Sequence, residues 1–339
     1  MEEWIVADSA WWGRWLGPCA LRVRGGLPYG GPVPMTDMPG GAHLRPVSGT
    51  LLPGLRDAHV HSALVDLRRV RAGGIAAVDD LGGVPAQLAA LRQTSEGNPA
   101  LPRIAFAGAF LTAPGGYPSD RSWAPRGSWR EVRSPGDAAA AVAEQRAAGA
   151  AMIKIVHNAD AGPTLDSATF AAVVAAAHAA GMPVVVHAEG PGSVEAAVEA
   201  GADRLAHVPW TERLDDGVVR AVGHMTWIST LDIHGHGTPT PSLNVALHNL
   251  RGFLAAGGRV AYGTDLGNGP LLLGVNAREV RALQAAGLSV DDVLIAMTDP
   301  TGLAVMSCHV PGGLDRDATA FATSLSTARV LDAVPPGTQ

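Results

Sequence analysis

The amino-acid sequence predicts a TIM-like (β/α)8 barrel that carries a small β domain built from both ends of the chain. Short apolar runs alternate with Ala-rich helical stretches through the middle of the sequence, whereas both ends lack this alternation of strand-like and helix-like segments. The 339 residues leave room for a barrel, which commonly takes about 250 residues as one unit, and for a smaller domain. We therefore divide the chain into a barrel over 53–309 and a β domain over 1–52 and 310–339.

The terminal segments are rich in turn residues and short strands. Residues 1–52 contain EEWIVA, CALRVRG and HLRPVSGTLL, and the stretch 24–41 between them is rich in Gly and Pro. Near the other end, ATAFATSL and ARVLDAV have the composition of strands. We expect these strands from the two ends to share one domain.

The middle of the chain contains eight strand-then-helix units. Predicted strands cover 55–61, 75–81, 103–110, 151–157, 183–188, 203–208, 225–231 and 258–264. Predicted helices cover 64–72, 84–94, 136–149, 166–181, 192–201, 213–223, 243–256 and 276–287, with more helix over 290–306. The long loop 112–134 follows the third strand, where we expect it to serve function.

Composition and charge exclude several classes of partner. The formal net charge is −6 and no Lys/Arg run is present, so neither nucleic acid nor a membrane is an expected partner. The acidic start has no long apolar segment, and the two cysteines stand far apart. We expect a cytoplasmic protein whose partner is a small-molecule substrate.

The segment PGLRDAHVHS, residues 53–62, is the strongest local signal. Asp57, His59 and His61 alternate along the first barrel strand, so they point to one face. Two imidazoles at this spacing can hold one metal ion. The alternative is that they are ordinary core or surface histidines.

A lysine lies inside an apolar strand at AMIKIVH. Burial of Lys154 is costly for the ammonium form and lowers its pKa. The neutral amine can take up carbon dioxide, and the resulting carbamate has two oxygens that can bridge two cations. The alternative is that Lys154 extends to the barrel mouth or pairs with Asp160.

Three further candidates end later barrel strands. His187 ends the fifth strand, His207 the sixth and Asp265 the eighth. Each alone has an ordinary structural explanation, as a core histidine or a turn aspartate. Together with His59, His61 and Lys154 they are metal-competent residues at the strand ends that build the active site in this architecture.

This ordered set resembles the amidohydrolase superfamily, within it the imidazolonepropionase-like and prolidase-like branch. PGLRDAHVH is similar to the first-strand motif of that family and IAAVDDLGG to its second-strand motif. IKI, VVVHAEG, the His207 strand, GTDLG and AGLSVDDVLIAMTDPTGLAVM match later motifs in order. The resemblance covers about residues 46–306.

The resemblance implies a barrel with a composite β-sandwich and a binuclear centre, with two Zn²⁺ per chain as the expected cofactor. His59 and His61 would bind one cation, His187 and His207 the other, and carboxylated Lys154 would bridge them. Asp265 would touch the first cation and act as the catalytic proton shuttle. The implied reaction is hydrolysis of an amide, peptide, cyclic amide or ester bond in a small molecule. The family also suggests a homo-oligomer.

Two positions depart from the family pattern. Ala206 stands where the sixth strand usually has Glu before its histidine, and Tyr117 stands where the third-strand loop often has histidine. We list Tyr117, His157, His234 and His236 as candidate substrate contacts near the mouth. The alternative for each is a solvated loop residue.

Arginines of the long loop are further candidates for contact with a substrate. Arg121, Arg126 and Arg130 can meet a substrate carboxylate if they reach the mouth. A solvated position is the alternative for each.

Three other functions stay open at this point. A mononuclear deaminase or ring-opening hydrolase would need one cation and an unmodified Lys154. A non-catalytic relative would serve as a binding or scaffold protein. A non-hydrolytic reaction on the same metals, such as isomerisation or decarboxylation, is the third.

Overall fold

The computed structural model describes residues 2–24, 27–298 and 306–332. The strands of these residues are β1 (Glu2–Ala7), β2 (Ser9–Trp11), β3 (Trp15–Leu16), β4 (Cys19–Arg24), β5 (Leu27–Pro28), β6 (Val33–Pro34), β7 (Leu44–Pro46), β8 (Thr50–Leu52), β9 (Arg56–Val60), β10 (Ala77–Asp80), β11 (Arg103–Phe106), β12 (Phe110–Thr112), β13 (Trp129–Glu131), β14 (Ile153–Asn158), β15 (Val184–Glu189), β16 (Arg204–Leu205), β17 (Thr226–Ile228), β18 (Arg259–Ala261), β19 (Cys308–Val310) and β20 (Arg329–Val330).

The helices of the same ranges are α1 (Leu67–Ala72), α2 (Pro85–Glu96), α3 (Ala138–Ala147), α4 (Ser167–Ala179), α5 (Ser193–Glu199), α6 (Asp216–Ala221), α7 (Pro241–Ala255), α8 (Ala277–Ala286), α9 (Val290–Met297) and α10 (Ala318–Leu325). Within these ranges, no helix combines the length and apolar character needed to cross a membrane.

Parallel strands form the centre of the molecule. One sheet has the order β11-β10-β9 and the other β13-β12-β14-β15-β16-β17-β18. Backbone hydrogen bonds join the two sheets on both sides: Ala151 N donates to Phe106 O over 2.9 Å, and Ala58 N donates to Tyr262 O over 2.9 Å. The mixed α/β architecture is therefore confirmed, and the ring of parallel strands is consistent with the predicted barrel.

Helices cover the outer side of this ring with their apolar faces. In α4 the buried side chains are Phe170, Val173, Val174 and Ala177, a spacing that places them on one helix face. The Asp166 side chain accepts from Thr169 N and caps the first turn. Each fully buried large apolar side chain stabilises the fold by about 1.5–3 kcal/mol, so packing of this face fixes the helix against the strands.

Strands from both ends of the chain share a sheet. β19 pairs antiparallel with β8, with Cys308 opposite Leu52, in a sheet of order β20-β19-β8-β2-β3. A second sheet has the order β5-β4-β1-β7 with β6 on β4. Trp11 Nε1 and Trp15 Nε1 both donate to Asp291 Oδ1 over 2.8 Å, which ties the terminal part to the start of α9.

One predicted strand is a helix. ATAFATSL forms α10, whose first turn is capped by Asp317 and whose buried residues are Phe321, Ala322 and Leu325. Gln284 Nε2 on α8 donates to Ala318 O over 2.9 Å, so α10 packs beside a barrel helix. The strand prediction was wrong because a short apolar run is compatible with both a strand and a helix. Packing against α8 selects the helix here. The predicted helix residues 299–305 and the last two residues of ARVLDAV lie outside the described residues.

Candidate active site

A cavity of about 600 Å³ opens at the carboxyl ends of the parallel strands. It is lined by every predicted metal-competent residue, namely His59, His61, Lys154, His187, His207 and Asp265. Three of the predicted substrate contacts, Tyr117, His234 and His236, also line it. The structure therefore brings together residues as distant in sequence as His59 and Asp265.

The first two histidines meet Asp265 at a single oxygen. His59 Nε2 lies 3.0 Å from Asp265 Oδ1, and His61 Nε2 lies 3.2 Å from the same atom. His59 Nδ1 is 2.9 Å from Ala206 O, and His61 Nδ1 is 3.0 Å from Gly82 O. A carbonyl oxygen only accepts, so each Nδ1 carries the hydrogen and Nε2 is the nitrogen that faces Asp265.

The other two histidines are oriented by polar side chains. His207 Nδ1 forms a 2.8 Å hydrogen bond with Thr230 Oγ1. His187 Nε2 donates to Glu189 Oε2 over 2.8 Å, which leaves its Nδ1 free to act as a ligand. The ring centroids of His187 and His207 are 4.9 Å apart, and those of His59 and His207 are 4.7 Å apart. The imidazoles thus form one cluster with fixed ring orientations.

Asp265 is held ionised in an unusual backbone conformation. Burial raises the pKa of this carboxyl, but the positive charge that His59 and His61 carry when protonated outweighs the effect and holds the pKa well below its usual range. Its φ of 58° lies in the left-handed region, which costs a non-Gly residue about 1–3 kcal/mol and occurs mostly at functional sites. Asn268 Nδ2 donates to Asp265 Oδ2 over 2.8 Å, so Oδ1 is the oxygen that faces the histidines.

These contacts give a set of donors suited to a divalent cation. Ligand atoms of His59, His207 and Asp265 all lie within 4.8 Å of one another. Burial lowers the pKa of His59 to about 4, so its Nε2 is a lone-pair donor at neutral pH. A lone pair facing an ionised carboxylate at 3.0 Å is unfavourable unless a cation lies between them. The residues therefore fit a metal ion with nitrogen and oxygen ligands.

Lys154 lies in the cavity without an ionic partner. Its side chain is buried, with 2% of its surface exposed, and among the described residues it has no carboxylate within ion-pair distance. Burial lowers its pKa to about 7, with Asp265 acting in the opposite direction. Lys154 lines the cavity at the barrel mouth but stays buried, and among the described residues it forms no ion pair with Asp160. The amine is therefore poised to be neutral near physiological pH.

Asp57 supports the site rather than facing the ligands. It accepts hydrogen bonds from Thr264 N, Thr264 Oγ1 and His59 N over 3.0, 2.6 and 3.1 Å. Burial raises its pKa to about 7, and these donors oppose the shift. Because Thr264 precedes Asp265, Asp57 ties the first strand to the residue that the two histidines contact.

Large aromatic and apolar side chains line part of the cavity. We call Leu64, Phe110, Tyr117, Trp123 and Trp210 the outer wall. The Tyr117 ring stacks on His187 at 5.8 Å and lies 5.9 Å from Trp123. Burial, then the carboxylates of Glu189 and Asp265, raise the pKa of Tyr117 to about 12, so its hydroxyl stays protonated and can donate.

The predicted substrate contacts divide into two groups. His234 and His236 line the cavity, and His234 Nε2 and His236 Nδ1 have no hydrogen-bond partner among the described residues. His157 does not line it: its ring stacks on Phe170 of α4 at 5.2 Å. Side chains alternate along β14, so an inward Lys154 places His157, three residues later, on the outer face.

Sequence reasoning missed several residues that line the cavity. They are polar or aromatic and include Gln87, Phe110, Glu189, Trp210 and Asn268. Glu189 stands two residues after His187 on the same strand. Side chains at this spacing share one face of a strand, so the sequence could have identified Glu189 as a lining residue. The loop residues carried no comparable signal.

The comparisons with known proteins agree with this geometry. The model of the amidohydrolase family matches residues 50–299. No curated protein is significantly similar to the chain.

Several solved structures share the fold at low sequence identity. An Xaa-Pro dipeptidase with bound methionine in the active site has 18% identity and a TM-score of 0.79, with 98% of each chain covered. The A. niger ochratoxinase has 17% identity and a TM-score of 0.78, covering 98% of this chain and 95% of its own. A putative prolidase from Bifidobacterium longum has 22% identity and a TM-score of 0.77, covering 98% and 93%. The chain therefore belongs to the amidohydrolase family, which confirms the predicted superfamily and the prediction of a hydrolase that acts on carbon–nitrogen bonds.

Proposed function

We propose that the protein is a metal-dependent amidohydrolase that uses a binuclear centre to hydrolyse an amide, peptide, cyclic amide or ester bond in a small molecule. The observation that carries this proposal is the meeting of His59, His61 and Asp265 beside a buried Lys154 with no carboxylate partner. The names of similar solved structures, an Xaa-Pro dipeptidase among them, support a small-molecule substrate.

The donors divide naturally into two sets. His59, His61 and Asp265 would hold the first cation, and His187 and His207 the second. Lys154, as a carbamate, would lie between them. Imidazole nitrogens and carboxylate oxygens suit Zn²⁺, which is the proposed cation.

A bound pair of this kind polarises a carbonyl and lowers the pKa of water towards neutrality. The residues of this chain supply the rest of the chemistry. Asp265, ionised and held through Oδ2 by Asn268, accepts a proton at Oδ1 and returns it to the leaving nitrogen or oxygen. Tyr117 donates a hydrogen bond from its protonated hydroxyl to a substrate oxygen, and His234 and His236 contact the substrate from the loop after β17.

The finer architecture belongs to the same proposal. We infer a closed (β/α)8 barrel over 53–309 and a composite β-sandwich from 1–52 and 310–339. Backbone hydrogen bonds between β9 and the end of β18 support the first. An apolar cluster that includes Ile5, Leu21 and Leu331 supports the second. The cytoplasmic location and a homo-oligomer stay predictions.

A mononuclear centre is the second candidate. It is favoured by the compact trio of His59, His207 and Asp265, whose ligand atoms lie within 4.8 Å of one another and can share one ion. Such a centre would leave Lys154 as a free amine, as in a deaminase or ring-opening hydrolase.

Metal removal and counting test the proposal. The purified protein is treated with a chelator, then reconstituted with Zn²⁺, and its metal content is measured by elemental analysis. We expect about two ions per chain and hydrolysis of amide or ester substrates that disappears and returns with the metal. One ion per chain with full turnover supports the mononuclear candidate, and turnover unaffected by chelation contradicts both.

A further inference from the structure

The charges of the cavity are distributed unevenly. Its inner end carries the histidines, Lys154 and the carboxylates of Asp80, Glu189 and Asp265. Its outer end is the apolar outer wall, whose Trp123 and Leu64 are 52% and 63% exposed. Large apolar side chains that stay this exposed at a cavity mouth provide contact area for a ligand.

No arginine lines the cavity among the described residues, and Lys154 is its only lysine. In the long loop, Arg121 lies over the Tyr117 ring at 5.4 Å and pairs with Asp120 at 3.2 Å, and Arg126 is exposed between the lining residues Pro125 and Ser128. Neither arginine lines the cavity.

Two other nearby arginines are bound by carboxylates. Arg130 donates to Asp137 and to Glu144, with distances of 2.7 to 3.0 Å. Arg278 pairs with Asp232 at 2.9 Å. In the part of the chain that the structure describes, no guanidinium thus lines the cavity to receive a carboxylate at the distal end of a substrate.

A substrate carboxylate at the outer wall would be unfavourable for two reasons. It would lose water against aromatic rings without gaining a cation, and burying an unpaired charge is costly. Glu189 lines the cavity and its charge acts on Tyr117 of the outer wall, so a second carboxylate there would meet like charge. An uncharged aromatic or aliphatic group gains from the same surface.

We propose that this enzyme takes uncharged substrates with an aromatic or bulky apolar group, such as anilides, aryl amides or aryl ureas. It discriminates against substrates that bear a carboxylate beyond the cleaved bond, such as dipeptides and N-acyl amino acids. The inference rests on the proposed hydrolytic function and names the substrate class of the same site.

A matched pair of chromogenic substrates tests the inference. 4-Nitroacetanilide and 5-acetamido-2-nitrobenzoate share the scissile anilide and differ by one ring carboxylate. On the Zn²⁺-loaded protein we expect kcat/KM to be at least about 30-fold higher for the uncharged member. Equal or faster hydrolysis of the carboxylated member overturns the inference and leaves the hydrolytic function intact.

A charge added to the cavity sharpens the test. Gln87 lines the cavity on α2, and Gln93 is exposed on the same helix away from it. We expect Gln87→Arg to raise kcat/KM for the carboxylated substrate, so that the preference for the uncharged substrate falls about 10-fold. Gln93→Arg should leave this preference unchanged. An unchanged preference in Gln87→Arg contradicts the inference.

If neither anilide is hydrolysed, that result counts against the proposed function alone. Binding measurements then still test the inference. Calorimetry on the Zn²⁺-loaded protein then compares the Kd values of the two compounds. Binding of the uncharged compound that is tighter by about 10-fold or more supports the inference. Equal binding, tighter binding of the carboxylated compound, or no binding of either overturns it.

Discussion

The inner end of the cavity and the outer wall are built on different principles. At the inner end each imidazole is oriented by a second contact: His59 by Ala206 O, His61 by Gly82 O and His207 by Thr230. At the outer wall Trp123 is half exposed and packs its ring against those of Phe110 and Tyr117. The inner end thus fixes geometry, as metal chemistry requires, whereas the outer wall offers area that different substrates can use.

The largest effect is expected at the inner end, from Asp265→Asn. Asparagine tolerates the left-handed backbone at this position, so the fold should survive. Loss of the proton acceptor should reduce kcat by about 1,000-fold while most bound metal is retained. Steady-state kinetics and elemental analysis measure both quantities.

The exposed carboxylate Asp37 supplies the matched control, and Asp37→Asn should be indistinguishable from the wild type. Near-normal turnover of Asp265→Asn would remove this residue from the proton-transfer role.

Removal of an orienting contact should weaken metal binding without destroying the site. Thr230→Val keeps the β-branched shape but loses the hydroxyl bonded to His207 Nδ1. We expect the affinity for the cation that His207 binds to fall by about 10- to 100-fold. Metal titration of the chelated protein measures this change. Thr226→Val at the start of β17 is the control. Equal affinities in the two variants would show that ring orientation does not matter here.

Lys154, at the inner end, should make the free energy of unfolding of the protein depend on pH. The outer wall should add no such dependence. Its pKa is lowered from 10.5 to about 7 in the folded protein. Between these values the unfolded chain binds a proton that the folded chain does not, so the stability of the metal-free protein rises with pH in this window. Relative to Lys154→Met, the wild-type free energy of unfolding should gain about 2 kcal/mol between about pH 7 and pH 9.

Urea denaturation of both proteins with a chelator present measures this difference, because titrating groups that do not interact with Lys154 cancel in the comparison. Parallel pH profiles would show that Lys154 is not buried as a free amine.

The smallest effect is expected at the outer wall. Trp123 is 52% exposed, so Trp123→Ala should change the free energy of unfolding by less than about 0.5 kcal/mol. For an aromatic substrate KM should rise about 3- to 10-fold with kcat unchanged, since the lost contact is made equally in the ground and transition states. Leu272→Ala, an exposed apolar residue outside the cavity, is the control. A fall in kcat alone would place Trp123 in the chemistry instead.

The residues of the inner end could be predicted from the sequence. Side chains alternate along a strand and the strand ends of a barrel meet at one rim, so the positions of these residues are constrained. His59, His61, His187 and Asp265 end parallel strands, and such ends converge at one rim whatever the loops do. The same two-residue alternation places His157 on the outer face of β14 when Lys154 points inward, so the prediction of His157 as a substrate contact was wrong.

The outer wall could not be predicted in the same way. Trp123 and Trp210 lie on loops, whose paths depend on tertiary packing and not on a local period. Tyr117 was found only through its place in a family motif. The strand assigned to ATAFATSL failed for a related reason, because a neighbouring helix selects the conformation of an ambiguous segment.

Anomalous diffraction at the zinc absorption edge, from crystals of the metal-loaded protein, tests the central claim most directly. Two peaks are predicted, one beside His59, His61 and Asp265 and one beside His187 and His207, with the Lys154 side chain extended by a carbamate between them. A map without a peak at this cluster, or with a single ion and an unmodified Lys154 amine, would contradict the binuclear centre.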